Sequence, residues 1–159
     1  NDDDVDFQIL KSRIIKTLSA LIEDDCKIFY SGMAMGFDII CAECVLELKK
    51  IHKDIRLICA IPFKEHGKSL SYEWRKRYFK ILDNCDEFSY TSDDYSKTCY
   101  HVRNKFMVDQ SDFVICWYDG KPGGTRNTLK YAAKKHRFII NININSLDEF
   151  STTQTVMDI

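Results

Sequence analysis

Apolar residues recur every three to four positions in five stretches of this chain, which is the spacing of one face of an α-helix. In the first stretch Ile14, Leu18 and Leu21 lie on such a face, and the acidic start NDDDVDF suits a helix N-terminus. The pattern predicts an amphipathic helix over residues 5–24. The same spacing predicts four further helices, at residues 37–52, 70–85, 99–111 and 125–136.

Short, mostly apolar runs separate these helices and predict strands. The run RLICAIP, residues 56–62, is continuously apolar and ends at a proline, as expected of a strand buried on both faces of a sheet. Because strands alternate with helices, the sequence predicts an α/β fold: a three-layer, Rossmann-like, doubly wound and mostly parallel sheet. The other four predicted strands are residues 27–31, 86–91, 112–118 and 137–144.

The length of the chain, 159 residues, suits one domain. Residues 1–145 carry the alternating elements and are predicted to form a single Rossmann-like domain, followed by a polar tail at residues 146–159. The first predicted element is a helix, whereas a doubly wound fold normally opens on a strand. We therefore expect an additional N-terminal strand that is absent from this sequence, beside the five visible ones.

Charge and cysteine content narrow the function classes. The net charge of −1 gives no general attraction to nucleic acid or to an anionic membrane, and no apolar run approaches the ~20 residues of a membrane-spanning helix. We see no signal peptide.

Seven cysteines, an odd number, favour reduced core thiols in a cytoplasmic protein. Cys41 and Cys44 form a single CxxC pair, which is a weak zinc signal, so no metal is expected.

The stretch SGMAMGFD, residues 31–38, joins a predicted strand to a predicted helix. Gly32 lets the chain turn sharply and lets a ligand approach the backbone, and Gly36 lets the helix start close to the sheet. The N–H groups of a helix start attract an anion such as a phosphate. Asp38 would repel that anion, so we interpret it as a helix cap or as an acceptor for a ribose hydroxyl. A tight turn that binds no ligand explains the same spacing.

A second glycine loop, DGKPGGTRNT, precedes the last predicted helix. Gly123 and Gly124 offer consecutive backbone N–H groups and Thr125 adds a hydroxyl, a combination that favours an anion. The alternative is that Thr125 simply caps the helix.

Both glycine loops are expected at one edge of the sheet, because ligands of parallel sheets bind beyond the carboxyl ends of the strands. Arg103 and Asn104 in the first turns of the fourth helix, and Asp119 after the fourth strand, belong to the same edge. We predict that the two loops converge on one anion, with Arg103 as a charge-assisted partner.

The other conspicuous side chains have ordinary interpretations. Trp74, Tyr78 and Phe79 are interpreted as core or groove residues of a helix. His66 and His101 have no acidic partner in the sequence, and neither is assigned a catalytic role.

Several motifs together carry a family resemblance. SGMAMGFD resembles the SG-x-A-x-G-x-D motif of the Rossmann domain of DNA-processing protein A (DprA). With AIPF, YEWRKRY, CYHVRNKFMVDQSDFVICWYDG and PGGTRNTLKYA, the chain looks like the YpsA-like branch of the SLOG superfamily from about residue 5 to 144. This Rossmann-type group is named for DprA and the LOG (lonely guy) nucleotide hydrolases. Its members usually begin with a strand ending in a Thr-Gly-His-Arg-type loop, which is absent here.

The resemblance implies that the chain binds a nucleotide or a nucleotide-derived ligand of the ADP-ribose type. LOG hydrolases carry a catalytic Glu after the glycine-rich loop; the matching run GGTRNTLKY has none, and the catalytic residues stay unknown. YpsA-like proteins are linked to bacterial cell division and stress, or to phage defence. The binding positions carried over are Ser31, Gly32, Ala34, Gly36, Asp38, Arg103, Asn104, Asp119, Gly123, Gly124, Thr125 and Thr128.

The resemblance, together with the residues at this edge, implies three possible functions. The first is a cytoplasmic nucleotide sensor without strong catalysis. The second is a nucleotide N-glycosidic hydrolase, with Arg103 steering the phosphate and Asp38 or Asp119 acting on the ribose or water. The third is a single-stranded DNA-binding module, which the near-neutral charge disfavours. We expect a nucleotide-like small molecule as partner and no cofactor, membrane or nucleic acid; a protein partner and a homo-oligomer stay open.

Overall fold

A computed structural model describes residues 5–143 and residue 150 of the protein. Every predicted helix and strand is present, with ends that shift by a few residues, and a 3₁₀ turn, His66–Ser69, was not predicted. The helices are α1 (Val5–Glu23), α2 (Phe37–Lys49), α3 (Tyr72–Leu82), α4 (Cys99–Asp109) and α5 (Gly124–Lys134). The strands are β1 (Ile28–Ser31), β2 (Arg56–Ile61), β3 (Glu87–Tyr90), β4 (Phe113–Cys116) and β5 (Phe138–Asn141).

All strand pairs are parallel, which confirms the predicted α/β, Rossmann-like fold. β2 pairs with β1 on one side and with β3 on the other, and β4 pairs with β5. Helices connect the successive strands, and α2 packs on β1 and β2 while α5 packs on β5. Since parallel strands need such crossovers, each strand's carboxyl end opens into a loop at the same edge as its neighbour's.

One edge of β1 and one edge of β4 have no strand partner among the described residues. The two strands nevertheless belong to one body, because Ile115 of β4 packs against the core formed by α1, α2 and β2. The charge of Asp112, just before β4, also helps to raise the pKa of Cys26, just before β1. The additional N-terminal strand stays a prediction.

The core consists of two apolar clusters within the described part of the chain. The larger cluster joins α1, α2 and β2 and includes Ile14, Leu18 and Ile39. The smaller cluster joins α5 to β5 and includes Leu129 and Ile139. These buried positions are the ones whose spacing predicted the helices and strands. The tail at residues 146–159 lies outside the described residues, apart from residue 150.

The cysteines form no disulfide: all seven are free thiols. Burial raises the pKa of Cys44 to about 12, so this CxxC thiol stays protonated at neutral pH. We expect alkylation of the denatured protein without reductant to label seven thiols per chain, as counted by mass spectrometry. If two fewer thiols are labelled, and reductant brings the count back to seven, the protein contains a stable disulfide and the prediction is wrong.

None of the helices in the described residues is both long and apolar enough to cross a lipid bilayer.

Candidate functional site

The loop between β1 and α2 is held by its own side chains. Ser31 Oγ accepts the Met33 N–H at 3.2 Å and donates to the Asp38 carbonyl at 3.1 Å. The Asp38 carboxylate accepts the Ala34 N–H at 3.3 Å. Met33 is buried and has a positive φ of 57°, a conformation that non-glycine residues adopt uncommonly. The loop is therefore a fixed scaffold, and its geometry depends on Ser31 and Asp38.

Gly32 is the point at which charged side chains approach this loop. An added Cβ there would lie 2.7 Å from Asp38 Oδ2, 2.9 Å from Arg103 Nη1 and 2.9 Å from Met107 Cε. Arg103 Nη1 donates a hydrogen bond to the Gly32 carbonyl. The glycine motif predicts that Gly32 leaves room for a ligand, but in the structure Asp38 and Arg103 of the protein itself occupy that room.

Gly36 is the N-cap of α2 and faces open space. Its φ of 94° favours glycine, and no atom lies within 4 Å of the position of an added Cβ. The first helical bond runs from the Ile40 N–H to the Gly36 carbonyl at 3.1 Å, so the N–H groups of residues 37–39 have no partner inside the helix. Asp38 lies in the first turn and is not the N-cap.

The charges of Asp38 and Arg103 both lie next to Gly32 and act on each other. Burial raises the pKa of the Asp38 carboxyl, while the Arg103 charge and the Ala34 N–H oppose that shift. Arg103 is only 4% exposed. Since Asp38 already balances part of its charge, an anion at this edge has to compete with Asp38 for Arg103.

A chain of hydrogen bonds runs from the first glycine loop to the second. Arg103 Nη1 donates to the Gly32 carbonyl, and Arg103 Nε donates to Asn104 Oδ1 at 2.8 Å. Asn104 Nδ2 donates to Thr128 Oγ1 at 2.9 Å, and Thr128 Oγ1 donates to the Gly124 carbonyl at 3.0 Å. The two loops therefore lie at one edge of the protein, which the predicted anion site requires.

The second glycine loop opens to solvent. Gly123 is the N-cap of α5, and neither Gly123 nor Gly124 has an atom within 4 Å of an added Cβ. The first helical bond joins the Asn127 N–H to the Gly123 carbonyl at 3.1 Å, so the N–H groups of Gly124 and Thr125 have no intrahelical partner. Thr125 is exposed inside the first turn and is not the N-cap that the simple capping alternative required.

Asp119 is exposed and bonds within its own loop. Its carboxylate accepts the Lys121 N–H at 3.1 Å and pairs with Lys121 Nζ at 2.9 Å, contacts that lower the pKa of Asp119. Within the described residues no hydrogen bond or ion pair connects Asp119 with Asp38. The hydrolytic role of Asp38 or Asp119 stays a prediction.

His66 is a buried polar residue that the sequence analysis left without a role. It lies in the 3₁₀ turn after β2, is 3% exposed, and its Nδ1 has no hydrogen-bond partner among the described residues. Its ring contacts Phe63, Tyr78 and Tyr100. No local spacing could have revealed this site, because its aromatic walls come from three separate segments of the chain.

The buried position of His66 predicts a pH dependence of stability. Burial, with a smaller contribution from the Arg103 charge, lowers the pKa of His66 from 6.5 to about 4. The unfolded chain therefore binds a proton that the folded protein rejects between these values. We expect the titration of His66 to have no effect on stability above about pH 6.5. Between that pH and about pH 4, it should lower the free energy of unfolding by up to about 1.4 kcal/mol for each pH unit of acidification.

Urea unfolding of the wild type and of His66→Gln at pH 7 and pH 5 measures this dependence. The carboxylates titrate in both proteins, so the difference between the two isolates His66. The wild type is expected to lose more stability than the variant on acidification; equal losses would show that His66 is not held neutral.

No group of three or more His, Cys, Asp or Glu side chains in the described residues is arranged to hold a metal ion. That the ligand needs no metal and no cofactor stays a prediction, as do the binding roles of the residues at this edge.

Comparison with protein families identifies the fold that carries these loops. The YpsA model, described as "YspA SLOG family", matches residues 1–150. This chain belongs to the YpsA family of SLOG proteins. The resemblance seen in the motifs is thereby confirmed, and the match includes both glycine loops and α4 of this YpsA-family protein.

Three curated relatives of this YpsA-family protein have names that state no activity. It is 34% identical over 140 residues to the uncharacterized SPbeta prophage-derived protein YoqJ of Bacillus subtilis, an alignment covering 80% of this chain and 82% of YoqJ. It is 30% identical over 131 residues to a UPF0398 protein of Halalkalibacterium halodurans, covering 80% and 69% of the two chains. A UPF0398 protein of Bacillus thuringiensis is 27% identical over 136 residues, covering 84% and 74%.

Proposed function

We propose that this YpsA-family protein binds a nucleotide or a nucleotide-derived molecule, with a phosphate of the ligand between the two glycine loops. The observation that carries the proposal is the hydrogen-bond chain from Gly32 through Arg103, Asn104 and Thr128 to Gly124. It draws together two helix starts that lie far apart in the sequence.

Two helix starts at one edge favour an anion for a simple reason. The N–H groups of residues 37–39 and of Gly124 and Thr125 lack intrahelical partners, and each helix dipole places positive potential at its N-terminus. Gly36, Gly123 and Gly124 each leave open space where a side chain would stand, so a phosphate can approach the backbone there. Such a site holds a phosphate with protein groups alone.

Asp38 near the start of α2 does not remove this attraction. Its carboxylate is turned back to the Ala34 N–H, and the Arg103 charge offsets it. The role that fits Asp38 in this arrangement is to support the loop and to hold Arg103 against Gly32.

Isothermal titration calorimetry with inorganic phosphate, ribose 5-phosphate, AMP and ADP-ribose tests the proposal. Gly124→Ala places a methyl group in open space without backbone strain, where it would meet the ligand. We expect the wild type to bind at least one organic phosphate. We expect Gly124→Ala to weaken that binding about 10–100-fold, which corresponds to the loss of one charge-assisted hydrogen bond.

Lys53→Ala, in the exposed loop between α2 and β2 at the opposite edge, is the matched control and should bind as the wild type does. Absence of binding throughout the panel, or unchanged affinity in Gly124→Ala, would contradict the proposal. Chromatography of the same AMP samples detects free adenine, and its release would identify the N-glycosidic hydrolase instead of a sensor.

A further inference from the structure

We propose that Tyr95 and Tyr100, backed by Phe63 and His66, form the subsite that holds the base of the nucleotide. The inference rests on the proposed function, since base and phosphate belong to one ligand. It extends that function by naming the part of the ligand that gives the site its preference for a nucleotide over a simple sugar phosphate.

The four rings form one contiguous group. Phe63 is at its centre, with ring centroids 5.6 Å from His66, 5.6 Å from Tyr95 and 6.2 Å from Tyr100, all in edge-on geometry. His66 and Tyr100 are 5.9 Å apart. Phe63 follows β2, Tyr95 lies in the loop after β3, and Tyr100 lies in the first turn of α4. The group therefore stands at the carboxyl ends of the strands, where ligands of parallel sheets bind.

Two of these rings offer open surface for stacking. Tyr95 is 64% exposed and Tyr100 is 40% exposed, while Phe63 and His66 behind them are buried. A single exposed aromatic residue is ordinary, but two of them fixed on a buried aromatic base form a platform. Bases of every kind stack on such aromatic side chains, because each base has a π face.

His66 adds an unused hydrogen-bonding atom to this platform. Its Nδ1 is buried and has no partner among the described residues, a state that folded proteins seldom keep without a reason. A neutral imidazole donates from one nitrogen and accepts at the other, so either edge of a base can be its partner. A base that enters beside Tyr100 would give His66 Nδ1 a hydrogen-bond partner.

Arg103 connects the platform to the first glycine loop. Its guanidinium carbon lies 5.7 Å from the centre of the Tyr100 ring, and its Nη1 holds the Gly32 carbonyl. Tyr100 and Arg103 are three residues apart on α4 and so lie on the same face of that helix. One ligand can therefore place its phosphate at the glycine loops and its base on the aromatic rings, with Arg103 between them.

The test compares the affinities of the four nucleoside 5′-monophosphates with that of ribose 5-phosphate, which has the sugar and the phosphate but no base. The wild type is expected to bind at least one monophosphate about 10–100-fold more tightly than ribose 5-phosphate, the range expected of one stacked base. In the double variant Tyr95→Leu/Tyr100→Leu this ratio should fall to about one. The affinity for ribose 5-phosphate should not change.

Two further variants sharpen the comparison. Phe138→Leu removes an exposed aromatic ring at the amino end of β5, the opposite edge, and should keep the wild-type ratio. His66→Phe keeps the ring and removes the nitrogen atoms, so it should reduce the differences among the four bases while preserving stacking. Thermal melting of each variant shows that it is folded; if the double variant is not, Tyr95→Leu alone, at the most exposed of the four rings, replaces it.

The outcomes separate the two proposals. Equal binding of all monophosphates and ribose 5-phosphate by the wild type would leave the phosphate site standing and overturn the base subsite. An unchanged ratio in the tyrosine variants would also overturn it. If the wild type binds none of these compounds but binds ADP-ribose, only the base subsite is overturned. If it does not bind ADP-ribose either, both proposals are wrong.

Discussion

Replacing Arg103 by Met is expected to lower the free energy of unfolding by about 3 kcal/mol, because each buried acceptor left without a donor costs about 1–3 kcal/mol. The Gly32 carbonyl and Asn104 Oδ1 both lose their donors, and the Asp38 carboxylate loses the positive charge that offsets its burial. For a chain of this length the change corresponds to a fall in Tm of roughly 6–12 °C.

Urea unfolding with an exposed arginine as control measures this effect. Arg56 pairs with Glu87 at 3.3 Å on the surface, so Arg56→Met removes the same charge and should cost less than about 1 kcal/mol. Adding Asp38→Asn to Arg103→Met should recover part of the loss, since it removes the carboxylate left without its compensating charge. If Arg103→Met is as stable as Arg56→Met, the hydrogen-bond chain does not stabilise the fold.

Gly32→Ala is expected to destabilise the protein by about 1–3 kcal/mol, the usual cost of an added methylene in a closely packed site. The new Cβ would lie under 3 Å from Asp38 Oδ2, Arg103 Nη1 and Met107 Cε. The carboxylate and guanidinium cannot both withdraw without breaking their bonds to the Ala34 N–H and to the Gly32 carbonyl.

Gly124→Ala is the matched control for Gly32→Ala, because it makes the same chemical change at the other glycine loop. Its Cβ meets no atom within 4 Å, and the position lies in the first turn of α5, so its stability should stay within about 0.5 kcal/mol of the wild type or rise slightly. If the two variants change the Tm by the same amount, the space around Gly32 is not as closely packed as the structure indicates.

Residues that stabilise the fold are poor positions at which to test ligand binding. Gly32, Arg103 and Asp38 support the fold, so a variant at any of them that fails to bind does not separate ligand contact from loop geometry. Gly124 has open space where a side chain would stand, and the Tyr95 ring is 64% exposed. A loss of binding in folded variants at those two positions therefore reports on the ligand itself.

The sequence by itself determined the order and type of the helices and strands. The buried positions Ile14 and Leu18 in α1, and the apolar run that became β2, occur at spacings that belong to one helix face or one buried strand. Such patterns are local, so no knowledge of distant residues is needed to interpret them. The family motifs are local in the same sense, which is why they placed the glycine loops and the Arg-Asn pair correctly along the chain.

Only the tertiary structure decided what those residues do. Arg103 bonds to a carbonyl 71 positions away in the chain, and Asn104 reaches Thr128 on another helix. Gly32 therefore serves the packing of Asp38 and Arg103, a role that its place in a glycine motif does not show. The ring cluster around His66 was likewise invisible in the sequence, because its members come from the ends of separate strands and helices. Contacts of this kind depend on how the crossovers stack at one edge of the sheet, and local spacing carries no information about that stacking.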